Sequence, residues 1–327
     1  MVLHKIKRIW HPEWFHGIKK GNFEGWYYKN VTSSQDFVFS FIPGVAMGLS
    51  KISTLKKPHA FLQIIDGTNE KYWYIDYPVD DFKYTKNNFE ASIQDNYFSE
   101  KFVKFNLDRD DLTLLGELKY SNHFHWPKSF FSPGITGPTA FLPGMQNYHG
   151  VVSFNHDIQG EIILNGNKIN FSNGKGYIEK DWGKSHPNAW IWMQSNNFST
   201  PNASLSGAVA NVPYLKRNLR GFLVFLLYNN KLYSFTSYNR AKITDFQQND
   251  KEFYLELSKK SLQLQINGTM IGGIKMKAMS DEKVHYITES LQSTLNVKLL
   301  KKDKVIFEDQ GLCSGLEWKG LERLFDY

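Results

Sequence analysis

The sequence has very little cysteine, no long apolar run and almost no helical periodicity. Its single cysteine, Cys313, excludes an intramolecular disulfide framework and is compatible with a reducing compartment. The longest apolar run, Phe222 to Tyr228, has the length of a buried strand rather than of a membrane span. Met1 to Phe15 lacks an apolar core, so we expect no signal peptide. Together these features predict a cytoplasmic protein.

Charge gives little indication of a partner. The chain has 39 Lys and Arg against 32 Asp and Glu, for a net charge of +7, but the basic residues are dispersed. The densest group, Lys301, Lys302 and Lys304 around Asp303, is typical of an exposed hairpin tip. We therefore expect no nucleic-acid partner, while peripheral contact with an anionic lipid surface stays an open alternative.

Strand patterns run from end to end, and 16% of the residues are aromatic. Short turns separate the apolar runs at Asp66-Gly67, Asn165-Gly166 and Asn229-Asn230, which predicts three hairpins. In the last third, Leu262, Leu264 and Ile266 alternate with polar residues, and only Leu321, Leu324 and Phe325 indicate a short C-terminal turn. The sequence therefore predicts an all-β protein with little helix, built of two antiparallel β-barrel or sandwich units packed together.

The segment from Trp126 to Gln146 interrupts the strand pattern with several Pro and Gly residues but keeps three phenylalanines. Such a long aromatic loop is typical of a linker or a pocket rim. Strand patterns resume at Tyr148, and a second aromatic segment begins at Tyr177. We therefore predict an N-terminal unit of residues 1–175 and a C-terminal unit of residues 176–327.

The first candidate site lies in the segment from Phe23 to Lys29. Strand alternation places Glu24, Trp26 and Tyr28 on one face. Burial there would raise the pKa of the Glu24 carboxyl and make it a potential acid. The alternatives are an ion pair with a Lys or Arg, or a position at the mouth of a barrel.

The second candidate site is the strand from Gly174 to Gly183. Tyr177, Glu179 and Asp181 share one of its faces. Two carboxylates so close repel each other, so that a neighbour must compensate or one of them must stay protonated, as a general acid requires. The alternative is an exposed or salt-bridged pair, with Lys180 or Lys184 as the partner.

The third candidate segment begins at Trp190. Trp190, Trp192, Gln194 and Asn196 lie on one strand face, and indole rings can stabilise a carbocation by cation–π attraction. The alternative for these tryptophans is ordinary core packing.

The histidines predict no metal centre. His149 stands before a strand, and His123 and His125 lie in a loop without a further ligand at metal-binding spacing. The sequence also lacks the motifs of serine hydrolases, zinc proteases and nucleotide-binding loops. We expect neither a metal nor a cofactor.

The order of these segments resembles the tocopherol cyclase-like family. The resemblance rests on Phe-Glu-Gly-Trp-Tyr-Tyr-Lys from Phe23, Tyr-His-Gly from Tyr148, Tyr-Ile-Glu-Lys-Asp-Trp-Gly from Tyr177, Trp-Ile-Trp-Met-Gln-Ser-Asn-Asn-Phe from Trp190, and Gly-Leu-Glu from Gly315. More distantly, the segment from Tyr177 is similar to one in carotenoid 1,2-hydratases and related lipocalin-like proteins. The resemblance implies two lipocalin-like β units and chemistry on isoprenoid double bonds.

In the family's cyclases an alkene is protonated and a phenol oxygen captures the resulting cation. Glu179 falls at the family's acidic position, which implies that it is the proton donor, whereas Asp181 stands where plant cyclases are expected to have Asn. The resemblance thus implies a cofactor-independent cyclase or hydratase acting on a prenylated quinol or another isoprenoid alkene; the alternative is a carrier that binds a hydrophobic ligand without reaction. The predicted catalytic residues are Glu179, Asp181, His149 and Glu24, and the predicted ligand-binding residues are Trp26, Tyr28, Tyr177, Trp182, Trp190, Trp192, Gln194, Asn196 and Glu317.

Overall fold

The structure is a computed structural model that describes residues 8–17, 20–48, 57–142, 144–214, 217–278 and 285–324. These residues form 22 β-strands and three short 3-10 helices, which confirms the all-β prediction. The chain divides into two compact units: unit 1 comprises Met1–His186 and Lys277–Tyr286, and unit 2 comprises Pro187–Met276 and Ile287–Tyr327.

The first antiparallel sheet is formed by the N-terminal half of the chain. Its strands are β1 (Phe23–Val31), β2 (Val38–Met47), β3 (Pro58–Asp66), β4 (Lys71–Pro78), β5 (Phe82–Tyr84), β6 (Glu90–Ile93), β7 (Asn96–Ser99), β8 (Phe102–Arg109), β9 (Leu112–Ser121), β10 (Asn147–Leu164), β11 (Asn167–Asn170) and β12 (Gly174–Gly183). They pair in the order β4-β3-β2-β1-β12-β10-β9-β8-β7-β6-β5, and β11 pairs with β10. The late strand β12 therefore lies between β1 and β10 in the middle of the sheet.

The second sheet is also antiparallel. Its strands are β13 (Ala189–Ser195), β14 (Ser204–Tyr214), β15 (Arg217–Tyr228), β16 (Lys231–Thr236), β17 (Lys242–Gln248), β18 (Glu252–Lys259), β19 (Leu262–Thr269), β20 (Ile274–Ala278), β21 (His285–Lys301) and β22 (Lys304–Lys319). They pair in the order β16-β15-β14-β13-β22-β21-β19-β18-β17, and β20 pairs with β21.

The boundary predicted near residue 175 falls at the start of β12. Backbone pairing to β1 on one side and to β10 on the other holds β12 in the first sheet. The division into compact units comes after this strand, at His186. A later segment, Lys277–Tyr286, returns to unit 1: the Lys277 amide donates to the Tyr72 hydroxyl at 3.2 Å, and its Nζ lies 4.1 Å from the centre of the Tyr74 ring.

Turn chemistry accounts for the three predicted hairpins. Asn165-Gly166 joins β10 to β11 and Asn229-Asn230 joins β15 to β16 as two-residue turns in which all four residues have positive φ. The hairpin after Asp66 has a longer loop, since Asp66 pairs with Lys71. The Asp66 carboxylate accepts hydrogen bonds from the backbone and side-chain amides of Asn69, which stabilises this wider turn.

The remaining local predictions also have structural counterparts. The lysines near Asp303 lie at the turn between β21 and β22, and a 3-10 helix, Leu321–Arg323, follows β22; Phe325 lies outside the described residues. The aromatic loop contains one 3-10 helix, Gly137–Phe141, and a further 3-10 helix, Val79–Asp81, lies between β4 and β5. The loop side chains Phe130 and Phe131 are exposed. Among the described residues, no helix has the length and apolar character needed to cross a membrane.

Each unit has a large hydrophobic core on one face of its sheet; in unit 1 a smaller apolar cluster that includes Phe23 and Phe61 lies on the opposite face. In unit 1, Trp26, Tyr28 and Ile178 belong to the core, and in unit 2, Ile191 and Met193 do. We call this side of each sheet the core face and the opposite side the non-core face. Because strand residues alternate, the neighbours of these core residues in β1, β12 and β13 point to the non-core faces.

Candidate functional site

The register of β12 brings residues from three strands together on the non-core face of unit 1. Glu179 lies opposite Tyr27 of β1 and Val151 of β10, and Asp181 lies opposite His149 of β10. Directly opposed residues of antiparallel strands share a face. The topology thus places an imidazole from β10 beside two carboxylates from β12, although 30 residues separate His149 from Glu179 along the chain.

The His149 ring lies between the two carboxylates. Its Nδ1 is 3.2 Å from Oδ1 of Asp181, and its Nε2 is 3.6 Å from Oε2 of Glu179. The Tyr177 hydroxyl donates to the same Glu179 oxygen at 2.6 Å, and the Asn147 amide donates to Asp181 at 3.2 Å. Glu179 is 5% exposed and Tyr177 fully buried, so their hydrogen bond lies largely out of water, whereas His149 and Asp181 are only partly buried.

The electrostatics of this imidazole–carboxylate cluster favour a protonated histidine. Burial opposes the imidazolium, but the charges of Asp181 and Glu179 outweigh it and raise the pKa of His149 to about 9. Burial likewise opposes an ionised Asp181, yet the His149 charge and hydrogen bond lower the pKa of that carboxyl. At neutral pH the cluster therefore holds a proton on His149, next to two acceptors.

The same three side chains lie close enough to share a cation, with one ligand atom of each within 4.8 Å of the others. The two nitrogens of His149, however, face different carboxylates. A proton on Nδ1 is hydrogen-bonded to Asp181, and a proton on Nε2 faces the Glu179 carboxylate at ion-pair distance, whereas a metal ion binds an imidazole through one nitrogen only. The geometry therefore suits an imidazolium.

Glu24 lies on the core face and is ion-paired. Its Oε2 is 2.9 Å from Nζ of Lys180, which is fully buried, and it also accepts the His16 amide at 2.8 Å. Lys180 Nζ has two further acceptors, the Trp14 carbonyl and Nδ1 of His16, so all three ammonium protons have partners. Glu24 is therefore ion-paired with a lysine, as in the first of the two alternatives to its role as an acid.

The aromatic residues predicted to bind a ligand in unit 1 lie on both faces of the sheet. Trp26 and Trp182 lie on the core face, with Lys180 Nζ 4.7 and 5.0 Å from their ring centres. Tyr28 stacks on Phe41 at 4.6 Å in the core. Tyr177 alone of the predicted ligand-binding residues in this unit shares the non-core face with Glu179 and Asp181, so the structure does not bring Glu24 to the imidazole–carboxylate cluster.

Sequence reasoning missed three neighbours of the cluster on the non-core face. Lys29 lies opposite Tyr177 in β12 and opposite Ser40 in β2, and both Lys29 and Ser40 are buried. Tyr27 occupies the position opposite Glu179. Alternation in the segment from Phe23 to Lys29 already places Tyr27 and Lys29 on the face opposite Glu24. Their position beside the cluster follows from the pairing of β1 with β12, which the sequence did not indicate.

The predicted residues of unit 2 lie on the non-core face of the second sheet. Trp190, Trp192 and Gln194 alternate with the core residues of β13, and both tryptophans are buried without belonging to the main core cluster of unit 2. Asn196 follows the strand and is buried. Glu317 of β22 lies opposite Trp192 and accepts a hydrogen bond from the Trp190 indole.

A second carboxylate in unit 2 was also missed. Glu289 of β21 lies opposite Glu317 and is 3% exposed. A lone glutamate in a strand of mixed polar and apolar residues gives no sequence signal of burial. Whether the predicted residues of either unit bind a ligand stays a prediction.

The fold is shared with several solved structures of very different sequence. CghA has a TM-score of 0.53 at 8% identity, covering 91% of this chain and 87% of that chain. CghA with Sch210972 has a TM-score of 0.54 at 8% identity, covering 90% of this chain and 88% of that chain. A protein assigned as AttH from Nitrosomonas europaea has a TM-score of 0.50 at 13% identity, covering 91% of this chain and 92% of that chain. At these identities the likeness concerns the fold alone.

The fold and the cluster together define an all-β protein with a partly buried imidazole–carboxylate group on a non-core sheet face. The family model described as tocopherol cyclase-like matches residues 136–320, more than half of the chain. The chain therefore belongs to the tocopherol cyclase-like family. The matched range includes His149, Glu179 and Asp181 and excludes Glu24.

Proposed function

We propose that this protein is an enzyme that protonates an isolated double bond of an isoprenoid-type ligand, closing a ring in a prenylated quinol or adding water. One observation carries the proposal: the His149 ring lies between the buried carboxylate of Glu179 and the partly exposed carboxylate of Asp181 on one sheet face. Membership of the tocopherol cyclase-like family supports the substrate class.

In this mechanism His149 stores the proton and Glu179 delivers it. An apolar ligand that displaces water disfavours the ion pair, because separated charges lose solvation. The proton then moves from Nε2 of His149 to Oε2 of Glu179, which becomes a neutral carboxylic acid. Asp181 remains ionised and accepts the hydrogen bond from Nδ1 of His149. This bond keeps the ring oriented, so that Nε2 can accept the proton again.

The carboxylic acid of Glu179 then protonates the less substituted alkene carbon and leaves a tertiary cation on the other. In a prenylated quinol, the phenol oxygen attacks the cation, the new C–O bond closes the ring, and the phenol proton returns to Glu179 and His149. No proton is consumed. With water as the nucleophile the product gains one water, and the proton is returned in the same way.

Conversion of a prenylated hydroquinone by the purified protein tests the proposal. Under anaerobic conditions, liquid chromatography with mass spectrometry follows retention time for isomerisation and mass for hydration. We expect wild type to convert the quinol and Glu179→Gln to convert it about 10² to 10⁴ times more slowly, which is the usual loss on removing a general acid. Conversion by Glu179→Gln at the wild-type rate contradicts the proposal.

Glu117→Gln is the matched control, since Glu117 is an exposed glutamate of β9 in the same sheet. Its turnover should equal that of wild type. Thermal unfolding of both variants separates loss of chemistry from loss of folded protein.

The second candidate function is a carrier that binds the same class of ligand without reaction. It is favoured by the pairing of both carboxylates with His149, since a carrier needs its buried charges neutralised rather than reactive. In the conversion experiment a carrier retains the quinol and releases it unchanged. Peripheral contact with anionic lipid stays a prediction for either function.

A further inference from the structure

A second cluster of potential ligands lies in unit 1, away from the imidazole–carboxylate cluster. Glu100 occupies the turn between β7 and β8, and His123 and His125 follow the end of β9. One ligand atom of each residue lies within 4.8 Å of the others. The sequence gives no hint of this, because Glu100 is 23 residues from His123 and belongs to another turn.

The backbone fixes the two histidines on one side of an extended segment. The Phe124 amide donates to the Asn155 carbonyl, and the Phe124 carbonyl accepts the Phe154 amide, both at 2.9 Å. This pairing to β10 directs the two neighbours of Phe124 to the same side. The His123 and His125 rings accordingly stack with centroids 5.5 Å apart and an interplanar angle of 14°.

Hydrogen bonding prepares His123 to act as a ligand. Ser153 Oγ donates to the Asn155 carbonyl, so it accepts from Nδ1 of His123 at 3.2 Å. The proton on Nδ1 leaves the lone pair of the neutral ring on Nε2, a buried atom without a hydrogen-bond partner among the described residues. Histidines that bind metals commonly donate their other ring N–H to a carboxylate, a carbonyl or water, and the Ser153 hydroxyl takes that place here.

His156, which also faces Ser153, does not belong to this set. Its Nδ1 is 3.0 Å from Ser153 Oγ, but its Nε2 lies against Gly176 of β12, where a Cβ would come within 2.1 Å of it. The strand therefore covers the nitrogen that a metal would need. In contrast, the side chains of His125 and Glu100 are 52% and 24% exposed, so an ion can reach them from solvent.

We propose that Glu100, His123 and His125 form a binding site for a divalent transition-metal ion of the zinc type. Two imidazoles and one carboxylate are a ligand set that zinc accepts, with water in the remaining position. Glu100 contacts His125 directly, and an ion at this position would replace that contact and supply the partner that Nε2 of His123 lacks. Bound metal ties the turn between β7 and β8 to the segment after β9.

Calorimetric titration of chelator-treated protein with Zn²⁺, without an added histidine tag, tests the proposal. We expect one ion per chain at this site and a higher Tm in its presence, because an ion that binds only the folded state stabilises it. Co²⁺ provides a second readout, since visible absorption of a four-coordinate ion reports its ligands. Absence of Zn²⁺ binding overturns the proposal.

Variants assign the bound ion to these residues. His125→Ala and Glu100→Gln should each weaken Zn²⁺ binding by at least about 100-fold, the upper end of the loss caused by removing an outer-shell partner. His11→Ala is the control: His11 also contacts a carboxylate, Glu13, at 2.8 Å, but belongs to no three-residue set among the described residues. It should bind Zn²⁺ as wild type does.

The imidazole–carboxylate cluster is the competing location. His149→Gln should leave the ion in place if Glu100, His123 and His125 hold it. Loss of Zn²⁺ binding in His149→Gln together with unchanged binding in His125→Ala overturns the proposal. Failure of the metal site leaves the proposed acid chemistry untouched, since that chemistry uses no residue of this second cluster.

Discussion

Glu179 and Lys180 are consecutive residues of β12, yet their side chains lie on opposite faces of the first sheet. Glu179 meets His149 and Tyr177 on the non-core face, whereas Lys180 meets Glu24 on the core face. A single strand thus carries two independent charged groups. Substitutions at the two positions should have separable effects, on reaction for one and on folding for the other.

Lys180→Met should destabilise the protein by about 3–5 kcal/mol, because it leaves the buried Glu24 carboxylate without its partner. Burial already raises the pKa of Glu24 and lowers that of Lys180, so each charge depends on the other. Chemical denaturation measures the loss. Glu24→Gln combined with Lys180→Met should recover part of it.

The matched control for this prediction is Lys175→Met, in the same strand. Lys175 Nζ is 2.6 Å from Asp157, but both side chains are about one-third exposed. Its removal should cost about 1 kcal/mol or less, as is usual for exposed pairs. Equal destabilisation by Lys175→Met and Lys180→Met would show that the buried pair of Glu24 and Lys180 contributes no more to stability than the exposed pair of Lys175 and Asp157.

His149 should make the protein less stable at alkaline pH. Its folded-state pKa of about 9 lies above the usual histidine value of 6.5, so its stabilising effect is complete below pH 6.5 and is lost as pH rises through 9. The difference corresponds to at most about 3 kcal/mol. Free energies of unfolding measured from pH 6 to 10 should fall more steeply for wild type than for His149→Gln, and parallel curves would contradict the assignment.

Asp181→Asn should lower the pKa of His149, since Asp181 supplies the larger of the two carboxylate effects on that ring. Titration of the His149 ring protons by NMR measures the change. Asp157→Asn is the control, because Asp157 pairs with Lys175 and is not among the causes of the His149 shift. An unchanged His149 titration in Asp181→Asn would refute the role given to this carboxylate.

The strands and their faces were predictable from local patterns. Alternation correctly grouped Tyr177 with Glu179 and Asp181, and turn residues located the hairpin at Asn165-Gly166. These features depend on neighbours in sequence, where side-chain direction follows from a period of two. The family resemblance supplied the order of the segments.

Pairing between distant strands was not predictable. The contact of His149 with Asp181 depends on the position of β12 beside β10, and the contact of Glu24 with Lys180 depends on β12 beside β1. Glu100 and His125 approach each other through two turns that alternation does not describe. Such contacts are set by sheet order, which the residues of a single segment do not encode.

The return of Lys277–Tyr286 to unit 1 has a consequence for biosynthesis. Tyr72 and Tyr74 leave the ribosome about 200 residues before Lys277, their partner in this unit. At ordinary rates of translation the delay is roughly 10 to 40 seconds. The nascent chain must therefore keep this edge of its first sheet available, or protected by a chaperone, until most of the later chain has been synthesised.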